Sequence, residues 1–210
     1  MQRVELPDSD AFSLLAELDI LTLSEMLEAS NIYVSEQSEN VRQEITTAKP
    51  EQYESEYDYS SHLDSLNDEL LQLENIKGIS KKLLVVGLHM VIENSHKRLF
   101  KWLYHQFDGE IRDKKLQELH KWRVLKSELV AVCNTALTDV CGYSVIDELR
   151  CLSNAIKHGG YVKGEISKFP KWKADLNKEI NADKINLEEY YANIPVYIRD
   201  LVGKVKANLA

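Results

Sequence analysis

Glycine and proline are scarce, at 8 and 4 among 210 residues. Folds rich in strands and tight turns need both at their reversals, so the scarcity points to an all-α chain. No stretch approaches the ~20 consecutive apolar residues that span a bilayer, so no membrane partner is expected. The opening Met1-Gln2-Arg3-Val4-Glu5-Leu6-Pro7 has no basic leader followed by an apolar run. A secretory signal is therefore not expected, and the chain reads as cytoplasmic. Cysteine is limited to Cys133, Cys141 and Cys151, an odd count without a Cys-x-x-Cys pair. That argues against a disulfide framework or a zinc site and suits small apolar side chains in a reducing compartment. Positive charge is also in deficit, with a net charge of −8. Proteins that coat long nucleic acids are driven by phosphate neutralisation and are usually basic, so that role is disfavoured. A small local phosphate site is still compatible with the balance.

Hydrophobic residues make up 44% of the chain, enough for a core at this length. Their spacing predicts a bundle of about five to seven helices. A helix is expected over 11–29, capped by Asp10, with a stripe of Leu14, Leu15, Leu18, Leu21, Leu23 and Leu27. Another is expected within 35–48, before Pro50 and an acidic stretch bearing Tyr53 and Tyr57. Further helices are expected over 61–75, over 81–107 after Gly78 and a capping Ser80, and over 114–140. Gly109 and Gly142 would end the last two. Ser144 would cap a helix to His158, stopped by Gly159-Gly160, and Asn186 a final helix over 187–209, interrupted near Pro195. The whole reads as one helical domain, with 1–60 as an N-terminal arm and connector and 61–210 as the main bundle.

The 144–158 helix carries most of the functional signal. Val145, Leu149, Leu152 and Ile156, at spacings of four, three and four, form an apolar stripe. Arg150, Asn154 and His158, each four apart, form a polar ridge beside it. Arginine can fork onto phosphate oxygens, histidine can act as general acid or base, and asparagine can orient either. A polar ridge of this kind is also what an ordinary surface helix shows, and a histidine before Gly-Gly can be a simple dipole complement. The loop that follows adds Lys157, Lys163, Lys168 and Lys171, interleaved with Tyr161, Phe169 and Trp172, against one acid, Glu165. Cations for a backbone and rings for stacked bases suit single-stranded RNA. A solvated surface loop would look similar.

The segment Glu148-Leu-Arg-Cys-Leu-Ser-Asn-Ala-Ile-Lys-His-Gly159 resembles the motif helix of HEPN-domain proteins over about residues 148–160. The resemblance implies an all-α HEPN-like helical bundle, often a homodimer, from prokaryotic toxin–antitoxin or phage-defence systems. An antitoxin or another defence protein would be its partner. It also implies a metal-independent RNA endonuclease without cofactor. His158 would assist attack of the ribose 2′-hydroxyl, Arg150 would stabilise the phosphoryl oxygens, Asn154 would orient, and Glu93 from the long helix would help. The family's Arg and His are separated by about four to six residues, one to two helical turns. Here, with Asn154 and His158 in register, Ser153 occupies the Arg position and seven residues separate Arg150 from His158. The departure leaves a second expectation: a non-catalytic module of the same fold, binding a protein partner or nucleic acid. A third pattern, His89, Glu93 and His96 on one helix face, matches one half of a di-iron bundle site, but no second Glu-x-x-His exists to complete it.

Overall fold

The structure, a computed structural model, describes residues 8–104 and 109–209, giving the backbone alone for 109–112. Among the described residues there are seven α-helices and no strand. They are α1 (Ser9–Thr47), α2 (Glu56–Leu103), α3 (Gly109–Glu118), α4 (Trp122–Cys133), α5 (Tyr143–Lys157), α6 (Pro170–Lys173) and α7 (Leu187–Leu209). No helix among the described residues is long and apolar enough to cross a membrane. The three cysteines are unpaired.

The helices are longer and fewer in the first half than the spacing suggests. The expected helices 11–29 and 35–48 are one continuous α1, and the breaks at Gly78 and Ser80 do not occur. A glycine inside a helix costs only ~1 kcal/mol, too little to stop a helix that is packed on either side of it. Ser80 is not a cap; its hydroxyl meets that of Ser30 at 2.9 Å. Pro50 does end the helical run and starts a 3-10 turn at Pro50–Gln52, because proline fits the first turn of a new element. Asp10 is helical rather than capping: its N–H donates to Asp8 Oδ1 at 3.0 Å. The expected 114–140 helix divides into α3 and α4, and α4 stops at Cys133, where Asn134 takes a left-handed φ of 47°. Phe107 lies outside the described residues, and Gly109 begins α3 instead of ending the preceding helix. The α7 helix runs through Pro195 without a break, and Asn186 Oδ1 accepts the Glu189 N–H at its start, as expected.

The chain forms two compact units. One, Ser24–Leu84, is a helical hairpin built from the end of α1 and the start of α2. Its core is Val34, Val41, Leu66 and Leu73, with Ile45 and Leu70 packed against it. The other, residues 1–23 and 85–210, holds α3 to α7 and the remainders of α1 and α2. Within it α1 buries Phe12, Ala16 and Ile20, one helical stripe, while Leu14, Leu15, Leu18 and Leu21 are about half exposed. Leucine spacing alone therefore marks the wrong face of α1. In the same unit Leu23 lies against Gly87, where an added Cβ would come within 3.0 Å of Leu23 Cδ2. The α5 helix is buried against α7 on one side and against a 3-10 turn, Gly164–Lys168, on another.

Candidate functional site

The start of α5 is set by Gly142, which takes a φ of 76° and leaves its carbonyl to the Val145 and Ile146 N–H groups. Gly142, not Ser144, is therefore the N-cap. The end is set by Gly159 and Gly160, with φ of 115° and 74°, which fold the chain back so that Gly160 N–H reaches the Ala155 carbonyl. Of the expected apolar stripe, Leu149 and Leu152 are fully buried, whereas Val145 and Ile156 are only partly so. Ile146 is buried too, and because α5 is covered on two sides the polar flank follows it inward. Asp147, Arg150 and Cys151 are each under a tenth exposed.

The ridge of Arg150, Asn154 and His158 thus runs from the interior to solvent. Arg150 is 7% exposed, Asn154 half-buried and His158 exposed. The Arg150 guanidinium donates from Nε and Nη2 to Asp147 Oδ1 at 2.9 and 2.8 Å, and from Nη2 to Glu165 Oε2 at 2.5 Å. It also lies 5.1 Å from the centre of the Trp122 ring. Lys168 Nζ holds the other Asp147 oxygen at 2.9 Å. Burial works to raise the Asp147 pKa, but the Lys168 and Arg150 charges outweigh it and hold the carboxyl below its usual value. Hydrogen bonding from Arg150 does the same for Glu165. The neighbouring Cys151 thiol is pushed up to about 12 by burial, so it stays protonated and is no nucleophile.

Two cavities flank Asn154. An outer cleft of about 310 Å³ lies between α5 and the following loop, lined by Asn154, His158, Tyr161, Lys163 and Glu165. An inner cavity of about 130 Å³ is lined by His89, Glu93, His96, His120, Arg150 and Asn154. Asn154 borders both, whereas Arg150 faces the inner space and His158 the outer. Eight residues along a helix is also ~12 Å of axial separation. The three ridge residues are therefore not gathered into one phosphate site. Ser153, at the motif's Arg position, is fully buried and faces the core, and among the described residues its Oγ has no hydrogen-bond partner.

Glu93, expected as a helper from the long helix, lines the inner cavity with Arg150 and not the outer cleft with His158. His89 and His96 are buried, and burial is the main cause that lowers their pKa values, to about 4 and about 3. His96 Nε2 pairs with the Tyr197 hydroxyl at 2.8 Å, and among the described residues His89 Nδ1 has no hydrogen-bond partner. Among the described residues no three His, Cys, Asp or Glu side chains are placed to hold a metal ion. These side chains share the inner cavity without forming a metal-ligand cluster.

Of the loop residues expected to face RNA, some are exposed and others are committed within the fold. Lys157 and Lys163 are exposed, and Lys163 Nζ lies 5.0 Å from the centre of the half-exposed Tyr161 ring. Lys168 is committed to Asp147, and Lys171 stands 3.7 Å from Glu148. Trp172 is fully buried, and its Nε1 donates to Glu148 Oε1 at 2.9 Å. Tyr190 of α7 donates to the same oxygen at 3.2 Å, so Trp172 anchors the loop rather than offering a ring to bases. Trp172→Phe should keep the packing, lose the bond to a carboxylate and cost about 2 kcal/mol in denaturant unfolding.

Sequence reasoning had no reason to choose Asp147, Trp122 or His120. The Asp147-x-x-Arg150 spacing was the one available signal, since residues three apart meet on a helix. Set against family models, curated proteins and solved structures, the chain matches none.

Proposed function

We propose that the chain is a HEPN-like module of a prokaryotic defence or toxin–antitoxin system that binds single-stranded RNA and, in this conformation, leaves it uncut. The observation that carries the reading is the separation of the two reactive groups. Arg150 lines the inner cavity and is tied to Asp147 and to Glu165, whereas His158 opens on the outer cleft. Neither cavity is lined by both. The cleft still offers what a strand needs: the His158 imidazole, the Asn154 amide, the Tyr161 ring, and the Lys163 ammonium. Lys157 stands exposed one residue before His158. The net charge of −8 makes this a short local contact, not a coating surface.

The test is binding and cleavage of single-stranded RNA in excess chelator. Wild type should bind with a roughly micromolar dissociation constant and release no fragments. Replacing Lys157 and Lys163 together by Ala should weaken binding and flatten its salt dependence by about 1.4 in the log–log slope, ~0.7 per contact. Absence of binding would end the RNA reading. Cleavage by wild type that disappears in His158→Ala would restore the nuclease.

A further inference from the structure

We infer that Arg150 is an anion seat for one backbone phosphate of the bound strand, filled in this conformation by the protein's own Glu165 carboxylate. The inference rests on the RNA reading above and concerns where a phosphate would lie. Its basis is an asymmetry between the two acids on Arg150. Asp147 lies on the same helix, its side chain is 11% exposed, and Lys168 holds its second oxygen. It is a fixed part of the core. Glu165 belongs to the loop, and its side chain is 64% exposed. Among the described residues its one other hydrogen bond comes from the Cys151 thiol, at 3.6 Å. Glu165 can leave without stranding a buried partner, because Asp147 still takes two guanidinium bonds.

Charge and position agree. With Glu165 turned away, Asp147 is the one carboxylate among the described residues still hydrogen-bonded to Arg150 and Lys168, one negative charge against two positive ones on the side that faces the outer cleft. A phosphodiester carries one negative charge and can offer an oxygen to the Nη2 donor that Glu165 now occupies. Glu165 also lines the outer cleft together with Asn154, His158 and Lys163. An anion taking its place would therefore lie in the same cleft and continue the Lys163 contact, whereas an anion at the inner cavity would face Glu93.

The experiment compares wild type with Glu165→Ala and Glu165→Gln, using single-stranded RNA and, separately, inorganic phosphate. Both variants should bind RNA about tenfold more tightly than wild type, with a salt slope steeper by about 0.7. Inorganic phosphate should shift the Arg150 Nε–Hε resonance in both variants and not in wild type. Adding Arg150→Lys to Glu165→Ala keeps a cation beside Asp147 but removes the Nη2 donor that reaches past it, and it should abolish most of the gain. A gain that persists in full in the Arg150→Lys double variant would be general charge relief and would overturn the seat. Glu165 variants with unchanged RNA affinity and no phosphate shift would also overturn it. If wild type and variants all ignore RNA, the proposed function falls, and the phosphate resonance alone decides the seat.

Discussion

Acidifying the protein from about pH 7 to about pH 5 is expected to remove a few kcal/mol of folding stability. The cause is the buried pair His89 and His96. Burial lowers His89 from 6.5 to about 4, helped by the Lys157 and Arg150 charges. It lowers His96 from 6.5 to about 3, with a contribution from His89. As pH falls through 6.5 the unfolded chain takes up a proton at each imidazole, and the folded chain does not until its own lower values are reached. The unfolded state binds more protons in that window, so stability falls with pH, by ~1.4 kcal/mol per pH unit for each histidine. Asp147 adds to the acid lability further down, because its depressed carboxyl contributes stability above 3.8 that is lost below it. Urea titrations at a series of pH values read the slope directly. His89→Gln and His96→Gln, which cannot titrate, should each flatten it. A wild-type profile level across this window would mean that these imidazoles are not buried neutral groups.

Asp147→Ala is expected to cost about 3–5 kcal/mol, the loss that follows when one partner of a buried ion pair is removed. It would strip Arg150 of two hydrogen bonds and Lys168 of its partner, inside a helix face with little access to water. Glu165→Ala makes the informative contrast. It also removes an ion pair to Arg150, but from a largely exposed side chain, and should cost less than about 1 kcal/mol. Chemical denaturation of the two variants side by side gives the comparison. Equal losses would show that Asp147 and Glu165 are equivalent partners, which the difference in their exposure argues against.

Local signals were read well where the chemistry is local. Pro50 ends a helix, Gly159-Gly160 ends another, and Asn186 caps a third, each through its own backbone or side chain. Gly78 misled because its penalty is small against the packing of a 48-residue helix. The leucines of α1 misled because two stripes run along that helix and only contacts from elsewhere decide which is buried. At the site, the order Arg150, Asn154, His158 along one helix was legible, and their division between two cavities was not. That division depends on residues 164–168 folding back onto α5 and delivering Glu165 to Arg150 from fifteen residues away. Trp172 reads from sequence as a stacking ring among lysines, and only the position of Glu148 and Tyr190 makes it an anchor.

The loop between Gly160 and Ile180 is laced at its neck. Val162 N–H donates to the Lys178 carbonyl, Asn177 N–H to that of Val162, and Ile180 N–H to that of Gly160. Val162, Ile166 and Trp172 fill its interior. A segment cinched and stuffed in this way shifts as a block or not at all, so freeing Arg150 falls to the torsions of one glutamate. Such torsions turn over in nanoseconds or less at the surface, far faster than a strand diffuses in. Exchange of carboxylate for phosphate would then add no slow phase of its own, and the encounter itself would set the pace of association.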